Sequence, residues 1–317
     1  PLGIDVRQPR LGWRIESDEQ NVMQTAYHIL VASSADLLAQ GKGDIWDSGK
    51  IESDASQWIA YQGKPLKRNA RYYWKVKVYT NRGEADWSTP AFWSMGLLNE
   101  ADWQGQWIGL DRAAPGDSET QWSRLAARYL RKEFALSKEV KRATVHIAGM
   151  GLYELFINGQ RIGDQVLAPA PTDYRKTILY NTYDVTPQLQ KENAIGVTLG
   201  NGRFYTMRQN YKPYKIPTFG YPKLRLNLIV EYTDGSKETI ATNTSWKLTT
   251  EGAIRSNNEY DGEEYDARKE LGNWTQSGYD DKSWIAAQRV SIPSGTLRAP
   301  IMPGMKVMDT LKPVSIQ

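Results

Sequence analysis

Residues Val145 to Thr186 read VHIAGMGLYELFINGQRIGDQVLAPAPTDYRKTILYNTYDVT, and the pattern they set decides the fold. Leu152-Tyr153-Glu154-Leu155-Phe156-Ile157 reads as a strand buried on both sides near its end, because Leu155 and Ile157 alternate with neighbours that are only partly polar. Asn158-Gly159 stops it. A tight type I′ turn needs positive φ at both central residues, which Gly takes freely and Asn tolerates best, so Arg161-Ile162-Gly163 begins a return strand. The stretch predicts strands of a β-sandwich folded about a tight turn.

The chain around it continues the pattern. Upstream, Ala127 to Phe134 and Val140 to Ala148 read as strands, the second with strict alternation of Ala143, Val145 and Ile147. Downstream come Asn193 to Gly202 and Leu224 to Tyr232. Asp234-Gly235 then gives a further hairpin signal, and Glu238 to Ala241 and Ser245 to Leu248 follow it. Together they predict a jelly-roll-like sandwich of about eight to ten strands over residues 127–292.

Residues 1–98 predict another sandwich. Gln24 to Ala32 and Ala70 to Tyr79 are its clearest strands, the latter with Trp74, Val76 and Val78 on one face and Lys75, Lys77 and Tyr79 on the other. Turn signals at Gly41, Asp47-Ser48-Gly49, Gln62-Gly63 and Asn81-Arg82-Gly83 suit about seven antiparallel strands. A short helix at Ser34 to Gln40, capped by Ser34 or Ser33 and stopped by Gly41, interrupts them. Residues 99–126 read as a linker, with Trp103 and Trp107 as candidates to fill a contact between the sandwiches. Residues 293–317 read as the start of a connection to a further β-domain. The fold class is all-β, two sandwiches in tandem.

Composition excludes several chemistries. Lys plus Arg 40 against Asp plus Glu 36 leaves a net charge of +4 spread along the chain, which makes no case for nucleic acid or an anionic membrane. No apolar run is long enough to cross a membrane as a helix. Zero cysteines remove disulfides, thiolate metal sites and cysteine nucleophiles together. His28 and His146 are the only histidines and both fall in strands, so imidazole metal clusters and a Ser-His-Asp triad are lacking. Asp44 and Asp47 flank Trp46 but read as turn residues, not a catalytic pair. The chain starts at Pro1 and not at Met, as expected of a chain whose targeting segment lies upstream.

Two stretches stand out as candidate sites. Arg203 to Pro222, RFYTMRQNYKPYKIPTFGYP, packs four Tyr, two Phe and three Pro into a tract without periodicity. A loop that long and that aromatic is either a ligand-contacting surface or a plug packed on its own sheet. Glu259, Asp261, Glu263, Glu264 and Asp266 fall within eight residues. They could hold Ca²⁺, pair with Arg255 and Arg268, or contact a sugar directly.

The series FINGQRIGDQVLAPAPTDYRKTILYNTYDVT resembles the N-terminal jelly-roll domain of bacterial α-L-rhamnosidases. Its shorter core, a strand with Asn-Gly and then Asp-Val-Thr, is similar to accessory sugar-binding domains of other glycosidases. Tyr260-Asp261-Gly262-Glu263, Tyr265-Asp266-Ala267-Arg268 and the Trp-x-x-Ser-Gly-Tyr-Asp-Asp-x-Ser-Trp run from Trp274 to Trp284 extend the likeness. In the first domain PRLGWRI, QTAYHILVA, IWDSGKIESD, YYWKVKVY and WSTPAFW resemble the fibronectin-type-III-like domain that opens these enzymes.

The resemblance implies an N-terminal accessory region of an inverting glycosidase that removes terminal α-L-rhamnose from plant-type glycans. The acid and base would reside in a downstream helical barrel, so no catalytic residue is expected here. The implied partners are a rhamnose-containing carbohydrate and that catalytic domain of the same polypeptide, and the implied location is extracytoplasmic, periplasmic or at the cell surface. Asp173, Tyr174, Arg203, Tyr205, Asn210 and Tyr211 are the expected ligand contacts, by hydrogen bonds to hydroxyls and ring stacking. A calcium-dependent rhamnose-binding module among such domains carries an Asp-Asn pair. Asp173-Tyr174 stands where that pair would, with Tyr removing a carbonyl ligand. No cofactor is expected, calcium being the one possibility left open. The alternatives are a purely structural β-spacer and a stand-alone adhesin-like module.

Overall fold

The computed structural model describes residues 1–114, 125–205, 219–259 and 262–315. The chain is all-β apart from short helical turns, and it divides into two compact units, Pro1–Asp102 and Trp103–Gln317.

The first unit has seven strands: β1 (Arg10–Leu11), β2 (Gln24–Ala32), β3 (Trp46–Glu52), β4 (Ile59–Ala60), β5 (Arg71–Thr80), β6 (Gly83–Trp87) and β7 (Ala91–Ser94). A five-stranded sheet runs in the order β3-β2-β5-β6 with β7 also on β5, and β1 pairs with β4 in a small second sheet. Tyr27, Ile29, Val31, Val76 and Val78 line the core with Leu11, Tyr61 and Trp93, as period-two alternation requires. On the opposite face of β5, lysine ammonium groups lie over aromatic rings, Lys75 Nζ 5.0 Å from the Trp87 ring centre and Lys50 Nζ 4.7 Å from that of Tyr79. Helix α1 (Ala35–Ala39) is capped by Ser34, whose hydroxyl accepts from the Leu37 amide. Ser33 instead binds Asp44, and Asp47 accepts from the Gly49 amide and meets His28, so both aspartates serve turns and strand pairing.

The second unit comprises β8 (Ile108–Gly109), β9 (Arg128–Ala135), β10 (Val140–Met150), β11 (Leu152–Ile157), β12 (Gln160–Arg161), β13 (Thr177–Leu179), β14 (Asn181–Asp184), β15 (Glu192–Gly200), β16 (Lys223–Tyr232), β17 (Lys237–Ala241), β18 (Lys247–Thr249), β19 (Ile254–Asn258), β20 (Gly262–Tyr265), β21 (Ile285–Ala286), β22 (Gln288–Arg289) and β23 (Thr296–Arg298). Two six-stranded sheets carry the sandwich. One runs β14-β10-β16-β8-β22 with β17 also on β16, the other β12-β11-β15-β9-β18-β21. Ala143, Val145 and Ile147 sit opposite Val230, Leu228 and Leu226 in the first sheet, and Leu155, Val197 and Leu130 form a row in the second. These rows meet in a single fully buried cluster. The Asn158-Gly159 turn forms as expected: Ile157 pairs with Gln160, and φ is +50° and +82° at the two central residues.

The sheets hold more strands than expected because two-residue strands are too short to show any alternation. One of them lies in the segment read as a linker. Ile108-Gly109 pairs with both β16 and β22, while the Gly105 amide donates to Asn227 Oδ1 at 2.8 Å and its carbonyl accepts from Arg225 Nε at 2.7 Å. Trp103, expected at a contact between the sandwiches, is buried within the second unit edge-on to Tyr180 at 5.3 Å, and Trp107 is also buried. Residues after 293 add β23, parallel to β13, and the Met305 carbonyl accepts from the Val166 amide at 2.9 Å.

Arg131 explains the Trp274–Trp284 motif. Leu130 faces the core, so its neighbour Arg131 points to the outer face of the sheet, and yet it is only 1% exposed. The segment after Trp274 covers it: its guanidinium donates to the Trp274 carbonyl at 2.9 Å and the Gln276 carbonyl at 3.0 Å, pairs with Glu133 and Asp281, and lies 5.3 Å from the Tyr279 ring centre. The adjacent strand must be flat for this segment to approach. A Cβ on Gly196 would lie 2.6 Å from Thr275 Cγ2 and 2.9 Å from the Trp274 ring. His146, in β10, is fully buried, and burial pushes its pKa down to about 3, so the ring is neutral at ordinary pH and serves packing. Because Arg131→Ala leaves the Trp274 and Gln276 carbonyls without their donor and empties the space of a buried side chain, it is expected to cost about 3 kcal/mol in urea unfolding. A loss below about 1 kcal/mol would mean the motif is held by its aromatic contacts alone.

Candidate functional site

The candidate site lies where β15 ends at Gly200 and the chain makes the aromatic excursion that returns at β16. Asn201 anchors its base. The Asn201 side-chain amide donates to the Leu125 carbonyl at 2.8 Å, its backbone amide donates to Asn257 Oδ1 at 2.6 Å, and its carbonyl accepts from the amides of Phe204 and Tyr205. The Phe219 amide donates to the Phe204 carbonyl at 2.9 Å.

Aromatic rings fill that base. Phe204 and Phe219 stack at 6.0 Å, and Tyr174 stands edge-on to both, at 5.2 and 5.3 Å. Tyr205 stacks on Tyr221 at 5.5 Å. Edge-to-face and offset geometries satisfy the ring quadrupoles, so the cluster is cohesive beyond its buried area. Tyr174 is 4% exposed, Phe204 1% and Tyr205 6%, so these rings offer little surface for a ligand to stack on. Burial pushes the Tyr174 phenol up to about 12, with the Arg203 charge pulling it down and the Glu259 charge pushing it further up. Arg203 and Glu259 pair at 3.6 Å and are both partly exposed, which makes them the polar rim of the cluster.

The structure therefore brings Tyr174, Arg203 and Tyr205 into one region, with only Arg203 reaching solvent to a large extent. Asp173 precedes Tyr174, but its carboxylate turns to Arg175, whose Nε lies 3.0 Å and backbone amide 3.2 Å away, with Lys176 at 3.8 Å. The Arg175 guanidinium holds the Asp173 carboxyl below the usual carboxylate range. Asn210 and Tyr211 lie outside the described residues. Sequence reasoning missed Phe204, Phe219, Tyr221 and Glu259 as members of the cluster. The aperiodic aromatic tract signalled the first three, whereas nothing local ties Glu259 to a residue 56 positions earlier.

In the acidic stretch Asp261 lies outside the described residues, and Glu259, Glu264 and Asp266 each find a partner. The strands β19 and β20 pair antiparallel, setting Asn257 opposite Glu263 and Ser256 opposite Glu264. Glu259 meets Arg203, Glu264 accepts from the Ser256 hydroxyl, and Asp266 takes a two-pronged bond from Arg268 at 2.8 Å. Arg255, expected to pair with this stretch, donates to the carbonyls of Thr250 and Gly252. Among the described residues no three His, Asp or Glu side chains gather as metal ligands, and the cations at Asp173 argue against calcium there.

In class, the chain is an immunoglobulin-like sandwich followed by a jelly-roll-like sandwich with an aromatic plug after β15. Residues 138–309 match the family described as the alpha-L-rhamnosidase N-terminal domain, and residues 1–99 match the Rha78A-like, N-terminal immunoglobulin domain. The chain belongs to the α-L-rhamnosidase N-terminal domain family. An α-L-rhamnosidase of Formosa agariphila is 39% identical over the whole chain, and one of an Alteromonas species is 33% identical over the whole chain. The chain spans 35% of each of these relatives. Among solved structures, the α-L-rhamnosidase from Dictyoglumus thermophilum superposes with a TM-score of 0.86 at 39% identity, over 99% of this chain and 35% of that one. The Streptomyces avermitilis α-L-rhamnosidase, solved in complex with L-rhamnose, gives 0.82 at 25% identity, over 93% of this chain and 44% of that one.

The plug makes Tyr174 a packing residue. Tyr174→Ala is expected to lower stability by about 3–5 kcal/mol and Tyr174→Phe by less than about 1 kcal/mol in urea unfolding. The folded phenol titrates near 12 and the unfolded one near 10, so its contribution is complete below pH 10 and lost as pH rises through 12. Tyr174→Phe is therefore expected to flatten the alkaline loss of stability, and an unchanged alkaline profile would contradict the assignment.

Proposed function

We propose that this chain is the N-terminal, non-catalytic region of an α-L-rhamnosidase, a glycosidase removing terminal α-L-rhamnose from plant-type glycans, and that it serves as a brace for the catalytic part. The relatives support the enzyme class: they are α-L-rhamnosidases, and this chain corresponds to about a third of their length. A helical barrel elsewhere in the polypeptide would carry the catalytic acid and base. The observation that carries the bracing role is the burial of Tyr174, Phe204 and Tyr205, which commits the aromatic tract's base to packing. An extracytoplasmic location belongs to the same reading and is testable by fractionating cells that express the gene.

A second reading, sugar recognition beside the same cluster, is favoured by one observation. Arg203, with 45% of its side chain exposed, sits at the rim with Glu259, and a guanidinium paired with a carboxylate suits neighbouring sugar hydroxyls. In that reading Asp173, Tyr174, Arg203, Tyr205, Asn210 and Tyr211 are the candidate contacts to a rhamnosyl unit, with Arg203 the most open of those that are described.

Steady-state kinetics of the complete enzyme separate the two. Bracing predicts that Arg203→Ala leaves KM for a rhamnoside within about twofold, while Tyr174→Ala lowers the melting temperature by about 5 °C or more. A several-fold rise in KM for Arg203→Ala with kcat unchanged would transfer the function to recognition.

A further inference from the structure

The first sandwich presents an aromatic ring that its core does not use. Trp58, just before β4, is 72% exposed, the largest fraction of any tryptophan among the described residues. Its backbone sits at φ +61°, a left-handed conformation that a bulky side chain adopts only when its surroundings impose it. The surroundings are well fixed. The buried amide of Gln24 donates to the carbonyls of Ser53 at 3.0 Å and Ala55 at 2.8 Å, the Trp13 indole donates back to Gln24 Oε1 at 2.9 Å, and the Trp13 amide donates to the Ser56 carbonyl at 2.9 Å. The loop is thus tied at three successive points before it reaches Trp58.

Arg10 backs the ring. It lies opposite Ala60 in the β1–β4 pair, and its guanidinium carbon is 5.2 Å from the Trp58 ring centre. With one face against Arg10 and most of the side chain still exposed, the other face is open. The open face is a single flat apolar surface: Asp54 and Gln57 are exposed and polar, and Ile59 packs against the core of the first unit. A protein interface needs a contiguous apolar patch, whereas one isolated exposed ring whose chain neighbour Gln57 is polar and exposed suits the C–H face of one sugar.

We propose that Trp58, backed by Arg10, is a carbohydrate-stacking platform on the first sandwich that takes a pyranose of a rhamnose-bearing polysaccharide. The choice of sugar rests on the α-L-rhamnosidase reading; the platform itself rests on the ring and its loop. Backbone conformation supplies a discriminating variant. Glycine takes positive φ without strain, so Trp58→Gly removes the ring while leaving the loop at ease.

The test is affinity electrophoresis of this chain through gels containing a rhamnogalacturonan or, separately, a xylan, together with thermal unfolding. The wild type is expected to be retarded by the rhamnogalacturonan. Trp58→Gly is expected to bind about tenfold more weakly or worse, with a melting temperature no more than about 2 °C lower. Retardation by xylan alone, abolished in Trp58→Gly, would uphold the platform and count against the rhamnosidase reading instead. Equal retardation of wild type and Trp58→Gly would overturn the proposal, as would retardation of neither by either polysaccharide. A loss of self-association in Trp58→Gly without any polysaccharide retardation would reassign the ring to a protein contact and overturn it as well.

Discussion

The burial of Arg131 is the interaction on which most of the second sandwich depends. A guanidinium on the outer face of a sheet would ordinarily stay in water. Here it is enclosed, and enclosure is tolerable only because two carboxylates and two carbonyls, all from Glu133 or from the segment after Trp274, meet its donors. That demand fixes where the late part of the chain runs. It also explains why β15 carries a glycine at 196, beside the crossing segment, and why aromatic residues at 274, 279 and 284 gather there. The other sheet repeats the device. Arg225 collects the carbonyls of Gly105 and Trp103, and Lys223 meets Asp111 and Ser291, so the segment entering the unit is sewn to β16 by buried cations.

This arrangement separates what was legible in the sequence from what was not. The Asn158-Gly159 turn, the alternation of Ala143, Val145 and Ile147, and the capping of α1 by a serine are local statements, and each formed as local chemistry requires. Arg131 and Asp281 stand 150 residues apart, and no propensity in either neighbourhood announces the pairing. The same holds for Ile108-Gly109, which is a strand only because β16 and β22 offer unpaired edges beside it.

The candidate site shows the limit most clearly. Aromatic composition singled out the right tract, but composition does not say which way a ring faces. Tyr174 and Tyr205 turn inward because Phe204, Phe219 and Tyr221 are there to receive them, and Asp173 turns away because Arg175 follows it two residues later. Trp58 is the converse case. Its left-handed backbone and exposed ring depend on a loop tied by Gln24, 34 positions earlier.

A chain that braces a glycosidase without supplying its chemistry should do nothing to substrate alone. The most direct measurement is release of nitrophenol from p-nitrophenyl α-L-rhamnoside by this chain and by the complete polypeptide side by side. The account predicts turnover by the complete polypeptide and none above background by this chain. Rhamnoside hydrolysis by the chain itself would contradict it, because it would place a catalytic acid and base within this chain.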